Sequence, residues 1–482
     1  MELGFLLFLR SCLPDSSHWP WGNSSATEKL GMKTDYDVLI IGGGPAGCSA
    51  AAILAEFGHR VLVLEREKFP RYHIGESLLP FTYQPLGRLG LVARMKASAF
   101  QKKYSVLFVS PNGRASQPFY FFNRYDRETV AQTWQVLRSE FDQMLMDHAR
   151  ARGAEVIEEI TVKELIRESS DRMAAGDGGD AEGGDGARSG VRLLTSAATG
   201  RVVGVRAQKK SGEVVEYRAS MTLDCTGKEA FAAVRNGWRV KDPYLNKVAV
   251  WTYYEGSKRE AGVDEGQTTV AFVPEKGWFW HIPQHNDMVS VGVVAEGKYL
   301  ARDGVRDHET MFQREVKENV WIQEHLAVGR QVGPYYLTSE YSFHARHCGS
   351  AGLLLVGDAF CFLDPVFSSG LMLALKSGVM AGDAVHAALV AGDFAPERFA
   401  GYATELRRGI ENMRKLVYAF YHPNFSFKDV IAKYPDAAGD ITDCLSGDVD
   451  KDFSRLWERI REFAPVPEEL PIGQPLVGKG EA

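Results

Sequence analysis

The sequence predicts an α/β fold in which a parallel-sheet domain with helices is joined to an antiparallel-sheet domain and a mostly helical C-terminal region. Three observations predict it: an apolar strand, glycine turn and Ala-rich helix from Tyr36 onward; four strand-like segments between Val248 and Ala295; and helical apolar spacing past Pro396. In the first, the apolar run Val38 to Ile41 stops at glycines and is followed by about four turns of helix-forming residues. Gly42, Gly44 and Gly47 give the spacing G-x-G-x-x-G, with Pro45 and Ala46 inside it. Gly42 permits a sharp turn, Gly44 leaves room for a pyrophosphate, and Gly47 permits close helix–strand contact. The helix N-terminus then offers N–H groups to phosphate. A second strand, Val61 to Leu64, ends at Glu65, a carboxylate placed to accept from a ribose hydroxyl. Strand, turn, helix and acid in register point to a Rossmann-like dinucleotide site.

Composition sets wide bounds. A chain of 482 residues, 45% hydrophobic and 24% charged, can bury a large core and form more than one domain. A formal charge of -6 argues against a dedicated nucleic-acid surface. Six cysteines, none in a C-x-x-C pair, suggest neither a disulfide framework nor a metal cluster, and the scattered histidines fit no metal pattern. Residues 1–31 read as a disordered extension whose apolar core is too short to span a bilayer. No other segment reads as an integral membrane span, and a cytoplasmic location is expected.

After Glu65 comes REKFPRYHIGESLLP, where Arg66, Lys68, Arg71 and His73 crowd the expected phosphate side. Arg71 and Glu76 are read either as an ion pair or, in preference, as parts of a loop covering the cofactor. Leu86 to Ala99 is spaced as one helix, and FQKKYSVLFVS as a strand ending at Pro111-Asn112-Gly113. Lys102 and Lys103 open that strand and point to opposite faces, so one is directed inward. The aromatic cluster Phe119 to Tyr125 is a substrate wall or core. Phe141, Leu145 and Ala149 mark an amphipathic helix headed by Arg138. Residues 169–190, rich in Gly, Ala and Asp, read as a mobile surface insertion.

The segment FGHRVLVLEREKFPRYHIGESLLP, with the glycine motif, resembles the flavin-dependent halogenases and their relatives among FAD monooxygenases and prenyl reductases. The resemblance runs from about Tyr36 to Phe425 and implies that the nucleotide is FAD. Trp278-Phe279-Trp280-His281-Ile282-Pro283 matches the W-x-W-x-I-P signature of that family at every defined position, which implies that Trp278 and Trp280 shield the flavin from substrate. The family's reactive lysine follows a G-F-x-x-K stretch; Ala99-Phe100-Gln101-Lys102-Lys103 matches except at alanine, which selects Lys103 over Lys102. The arginine before F-D-x-x-L, here Arg138, is implied to contact the nucleotide, as are Arg66 and the Asp358 that follows the strand Leu353 to Val356. Asp224 and Gly227 resemble the D-x-x-G turn that closes the nucleotide domain. Asp364-Pro365 leads to Ser369 and Gly370, implied to bind halide at the start of a long helix that also points toward the flavin.

These readings divide the chain into a discontinuous FAD domain (32–105, 132–245 and 345–405), a substrate-side sheet (106–131 and 246–344) and a C-terminal helical region (406–482). The implied enzyme uses reduced FAD, oxygen and chloride or bromide to halogenate a small-molecule or carrier-tethered aromatic substrate through hypohalous acid guided by Lys103. A separate NAD(P)H flavin reductase is the expected partner. FAD monooxygenase and flavin-dependent double-bond oxidoreductase are the alternatives.

Overall fold

The computed structural model describes residues 35–126, 130–168, 200–275, 277–338 and 342–477. The expected N-terminal extension and the 169–190 insertion lie outside them. Tyr36–Ile41, apolar and buried from Val38 onward, lies between Val61–Leu64 and Val214–Asp224 and runs parallel to both. Such continuous burial is what a sheet covered on both faces requires. Leu353–Leu355 and Gly349–Ser350 extend one side, Glu155–Ile157 the other, and an antiparallel hairpin of Ile160–Arg167 and Val202–Lys209 leans on Val214–Asp224. The helix Pro45–Glu56 packs on the long helix Gly370–Ala391 and on Arg138–Ala151.

The second sheet has seven strands, in the order Arg330–Thr338, Lys247–Glu255, Met288–Glu296, Trp278–Pro283, Thr268–Phe272, Ser105–Val109, Phe119–Tyr120. It departs from the antiparallel expectation at one place, since Ser105–Val109 pairs in parallel with Thr268–Phe272. The expected single strand from Phe100 to Val109 is therefore two. Gln101–Lys103 pairs instead with Thr133–Gln135, and the chain crosses between sheets at Tyr104. Alternation along the strands sorts two cores. Trp251, Val270, Trp278, Trp280 and Ile282 face the nucleotide domain, whereas Val250, Ala271, Phe279 and Val293 face the helices His308–Val316 and Val320–Leu326.

The single helix read over 86–99 is broken into Tyr83–Arg88 and Val92–Lys96, because Gly90 adopts φ +74 between them. At the C-terminal end Ala400–Tyr421 is followed by the short helices Phe427–Lys433, Ala437–Ser446 and Ser454–Ile460. Among the described residues only Gly370–Ala391 is long and apolar enough to cross a membrane, and it is a packed core helix here.

Candidate active site

The glycine turn brings three backbones into contact. Gly42 adopts φ +102, and a Cβ there would lie 2.5 Å from the Cys225 carbonyl oxygen at the end of Val214–Asp224. A Cβ on Gly47 would lie 2.0 Å from the Gly42 carbonyl oxygen. Gly44 is different: a Cβ would meet only Arg71 Nη2, at 3.6 Å. The space before the Pro45–Glu56 helix is thus open, its N-terminus carries no side-chain cap, and its first turn holds no acid. That is a cradle for an anionic diphosphate. Pro45 and Ala46 form the first helical residues and are buried.

Glu65 is buried, its Oε2 accepting from Gly43 N at 2.7 Å and its Oε1 from Glu67 N at 2.8 Å. A carboxylate retains further lone pairs for a ribose hydroxyl. The Asp224 carboxylate organises the D-x-x-G turn, accepting from Thr226 N, Thr226 Oγ1 and Ala232 N. Arg66 lies at the rim, paired with Glu229. Arg138 directs its guanidinium into the protein, with Nε and Nη2 donating to the two oxygens of buried Asp142 at 2.8 and 2.9 Å, and Nη1 donating to the Ile74 and Gly75 carbonyls. It therefore holds the loop that the sequence suggested as a cover. Arg71 does not pair with Glu76, as one reading had it; its Nη1 lies 3.3 Å from Asp142 Oδ2, and its other end faces Gly44. Asp358 stands beyond the strand Leu353–Leu355; burial raises its carboxyl to about 7, against the pull of Arg138 and Lys228. The open glycine cradle, the Arg71 donors above it and these two acids fit FAD.

Trp278 and Trp280 are buried on one face of Trp278–Pro283, their rings 6.2 Å apart. Each indole N–H has a hydroxyl acceptor, Trp280 on Ser290 Oγ at 3.0 Å and Trp278 on Tyr421 Oη at 2.8 Å. Trp280 neighbours Trp251, which stacks on Tyr336, which stacks on Tyr72 of the covering loop. Tyr72 Oη also accepts from Trp251 Nε1 at 2.7 Å, so the loop is pinned to the second sheet.

Ser369 is buried and precedes Gly370–Ala391, whose N-terminus again lacks a side-chain cap and an acid. A Cβ on Gly370 would meet nothing within 4 Å. Lys103 is wholly buried while Lys102 is exposed. Its Nζ donates to Ser77 Oγ at 2.9 Å and to the Leu78 carbonyl at 3.3 Å, and it lies 5.7 Å from the Phe121 ring centre. Ser77 shares a hydrogen bond with Thr268 Oγ1 at 3.0 Å, which accepts from Gln135 Nε2. Among the described residues no carboxylate is ion-paired with Lys103, and burial lowers its amine to about 7. Phe420 and Phe425 are buried against Phe108, Phe272, Phe367 and Phe427 and seal the C-terminal helices onto the sheet. Among the described residues no cluster of His, Cys, Asp or Glu could hold a metal ion.

Sequence reading placed Asp364 only at the start of the Ser369 turn and did not identify Tyr421 and Ser77 as hydrogen-bond partners of the site. Ser77 is adjacent to Glu76 in the quoted loop, but nothing in the sequence signals that Trp278, Tyr421 and Asp364 meet.

Comparison with known proteins agrees with this geometry. Residues 179–429, just over half of the chain, match the model of the tryptophan halogenase family, and residues 35–193 match an FAD-binding domain. The 1H-pyrrole-2-carbonyl-[peptidyl-carrier protein] chlorinase of Pseudomonas fluorescens is 29% identical over 458 residues, which cover 91% of this chain and 95% of that protein. The solved flavin-dependent brominase Bmp2 superposes with a TM-score of 0.74 at 25% identity, over 89% of this chain and 97% of its own. The myxobacterial chondrochloren halogenase CndH superposes with a TM-score of 0.69 at 29% identity, over 89% and 95%. A nucleotide cradle, a buried tryptophan pair beside it in the fold and a family match over more than half of the chain make it a member of the tryptophan halogenase family, an FAD-dependent halogenase with halide as co-substrate.

Proposed function

We propose that this halogenase passes hypohalous acid to Lys103, which transfers the halogen to an electron-rich aromatic ring tethered to a carrier protein. Reduced FAD, with oxygen, supplies the oxidising equivalent that converts halide to hypohalous acid. The observation that carries the reading is Lys103 itself, a buried amine lowered to about 7 and held by a hydroxyl and a carbonyl. Near neutral pH both its forms are populated. As the ammonium it hydrogen-bonds hypohalous acid and polarises it toward the ring. As the neutral amine it takes the halogen and a water molecule leaves. Trp278 and Trp280 keep the aromatic substrate from the flavin, and Ser369 and Gly370 bind halide with backbone N–H groups at the positive end of a long helix.

Gly42, Gly44, Pro45, Ala46, Gly47, Glu65 and Asp358 hold FAD, with Arg71 above the diphosphate, Arg66 at the rim, Arg138 bracing the covering loop and Gly370 at the flavin end. Tethering to a carrier is supported by likeness to the carrier-protein chlorinase over nearly its whole length. The glycine motif at Gly42 has no second copy in the sequence, which favours a separate NAD(P)H-dependent reductase as the source of reduced FAD. That supply suits a cytoplasmic enzyme. The test is an aerobic reaction with a flavin reductase and bromide, presenting aromatic acids as carrier thioesters and as free acids, read by mass spectrometry for the bromine isotope doublet. The Lys103→Ala variant is expected to lose product while still consuming reduced flavin. Regioselective product from Lys103→Ala would remove Lys103 from the mechanism, and product from free acids alone would remove the carrier.

A further inference from the structure

Two hydrogen bonds between chain-distant residues join the tryptophan shield to the turn that carries Ser369. Trp278 Nε1 donates to Tyr421 Oη at 2.8 Å, and Tyr421 Oη donates to Asp364 Oδ2 at 2.9 Å. Asp364 is fully buried, and its other oxygen accepts from Val366 N at 3.0 Å, capping the turn Pro365–Phe367. Ser368 follows at φ +55, a left-handed conformation that a non-glycine residue holds only when its surroundings impose it. Ser369 and the long helix come next. One phenol thus accepts from the shield and donates to the carboxyl that starts the turn. It is the last residue of the helix Ala400–Tyr421, and its ring lies under the Lys247 ammonium at 4.4 Å.

We propose that Tyr421 is a positioning residue for halide use, fixing the Asp364–Gly370 turn and the Trp278 ring with respect to each other. The inference rests on the assignment of Ser369 and Gly370 to halide. Removing the hydroxyl takes an acceptor from a buried indole N–H and a donor from a buried carboxyl at once, while the phenyl ring keeps its packing. The strained turn then loses a restraint on the path of its backbone N–H groups.

The test is a bromide titration of FAD-loaded protein, followed by the change in flavin absorbance, for wild type, Tyr421→Phe, Trp278→Phe, the double variant and Ser369→Gly. FAD affinity and melting temperature are measured on each. Tyr421→Phe is expected to weaken bromide binding about tenfold, the scale of one hydrogen bond to a charged group, with FAD affinity unchanged. The double variant is expected to bind bromide about as weakly as Tyr421→Phe, because both substitutions cut one chain. Strict additivity would overturn the inference, since a general loss of packing adds. Weakened binding in Ser369→Gly with none in Tyr421→Phe would leave the halide assignment standing and remove Tyr421. No weakening in either, or no bromide response in wild type, would remove both.

Discussion

Gly44 and Gly47 stand three residues apart and answer substitution differently. Gly44 has ordinary backbone angles and open space in front, so Gly44→Val is expected to fold normally and to lower FAD affinity roughly tenfold or more by filling the cradle. Gly47→Val meets the Gly42 carbonyl and is expected to cost about 3 kcal/mol. Flavin fluorescence titration beside thermal melting separates the two. Lys103 gives a second residue-scale prediction. Its amine is lowered to about 7 in the folded protein, against about 10.4 in an unfolded chain. Between those values the unfolded state binds more protons, so stability rises with pH, by at most about 1.4 kcal/mol per pH unit. Lys103→Met is expected to flatten that slope and to be more stable than wild type below pH 7, as urea denaturation across the pH range will show. That one of Lys102 and Lys103 points inward was legible from strand alternation, and the family resemblance selected Lys103, the buried one. That Ser77 and Thr268 hold it was not, because those residues lie on other strands and loops.

At the level of elements, sequence patterns succeeded where burial is periodic and failed where a single residue redirects the chain. The helix Arg138–Ala151 and the four strands from Lys247 to Glu296 follow their apolar spacing. Gly90 instead splits a helix whose apolar positions continue through it, and Tyr104 splits a strand whose two halves join different sheets. Periodicity records which face is buried and carries no information on which neighbour buries it. The backing helices show how an element is fixed by one side chain. Buried Asn319 caps Val320–Leu326 by accepting from Ile322 N, and its amide donates to the carbonyls of Ser110 and Phe272. Asn319→Ala is expected to destabilise the protein by about 2 kcal/mol, with the loss read by calorimetry. Asn319→Asp keeps the cap acceptor but loses both donations, and is expected to recover only part.

Across the whole molecule the C-terminal helices are latched to the sheet by charge as well as by phenylalanine. Asp443 accepts from Arg124 Nε and Nη2 at 2.8 and 2.9 Å, and also from Tyr125 and Lys451. Burial pushes its carboxyl up, but those three donors hold it below the ordinary range. Its contribution is therefore full above about pH 4 and is lost as pH falls through its folded value. Asp443→Asn is expected to cost about 1–2 kcal/mol at neutral pH, discounted because Arg124 is half exposed, and to expose the region beyond Tyr421 to limited proteolysis. The difference from wild type should vanish in acid. The link from Asp443 to Arg124 and Tyr125 was invisible in the sequence, since they lie more than 300 residues away. The contact between the two long-range helices has a consequence of another kind. A Cβ on Gly378 would lie 2.4 Å from the Ala46 carbonyl oxygen, and one on Gly382 would lie 2.7 Å from Ile53, so the two helices run in the same sense with backbones nearly touching. Gly370 is eight residues before Gly378, about 12 Å at the helical rise per residue, so the start of the long helix projects past the start of Pro45–Glu56. That offset is a ruler cut into the main chain. Side chains around it can be exchanged to suit new substrates, and the spacing between the nucleotide cradle and the proposed halide turn will survive the exchange.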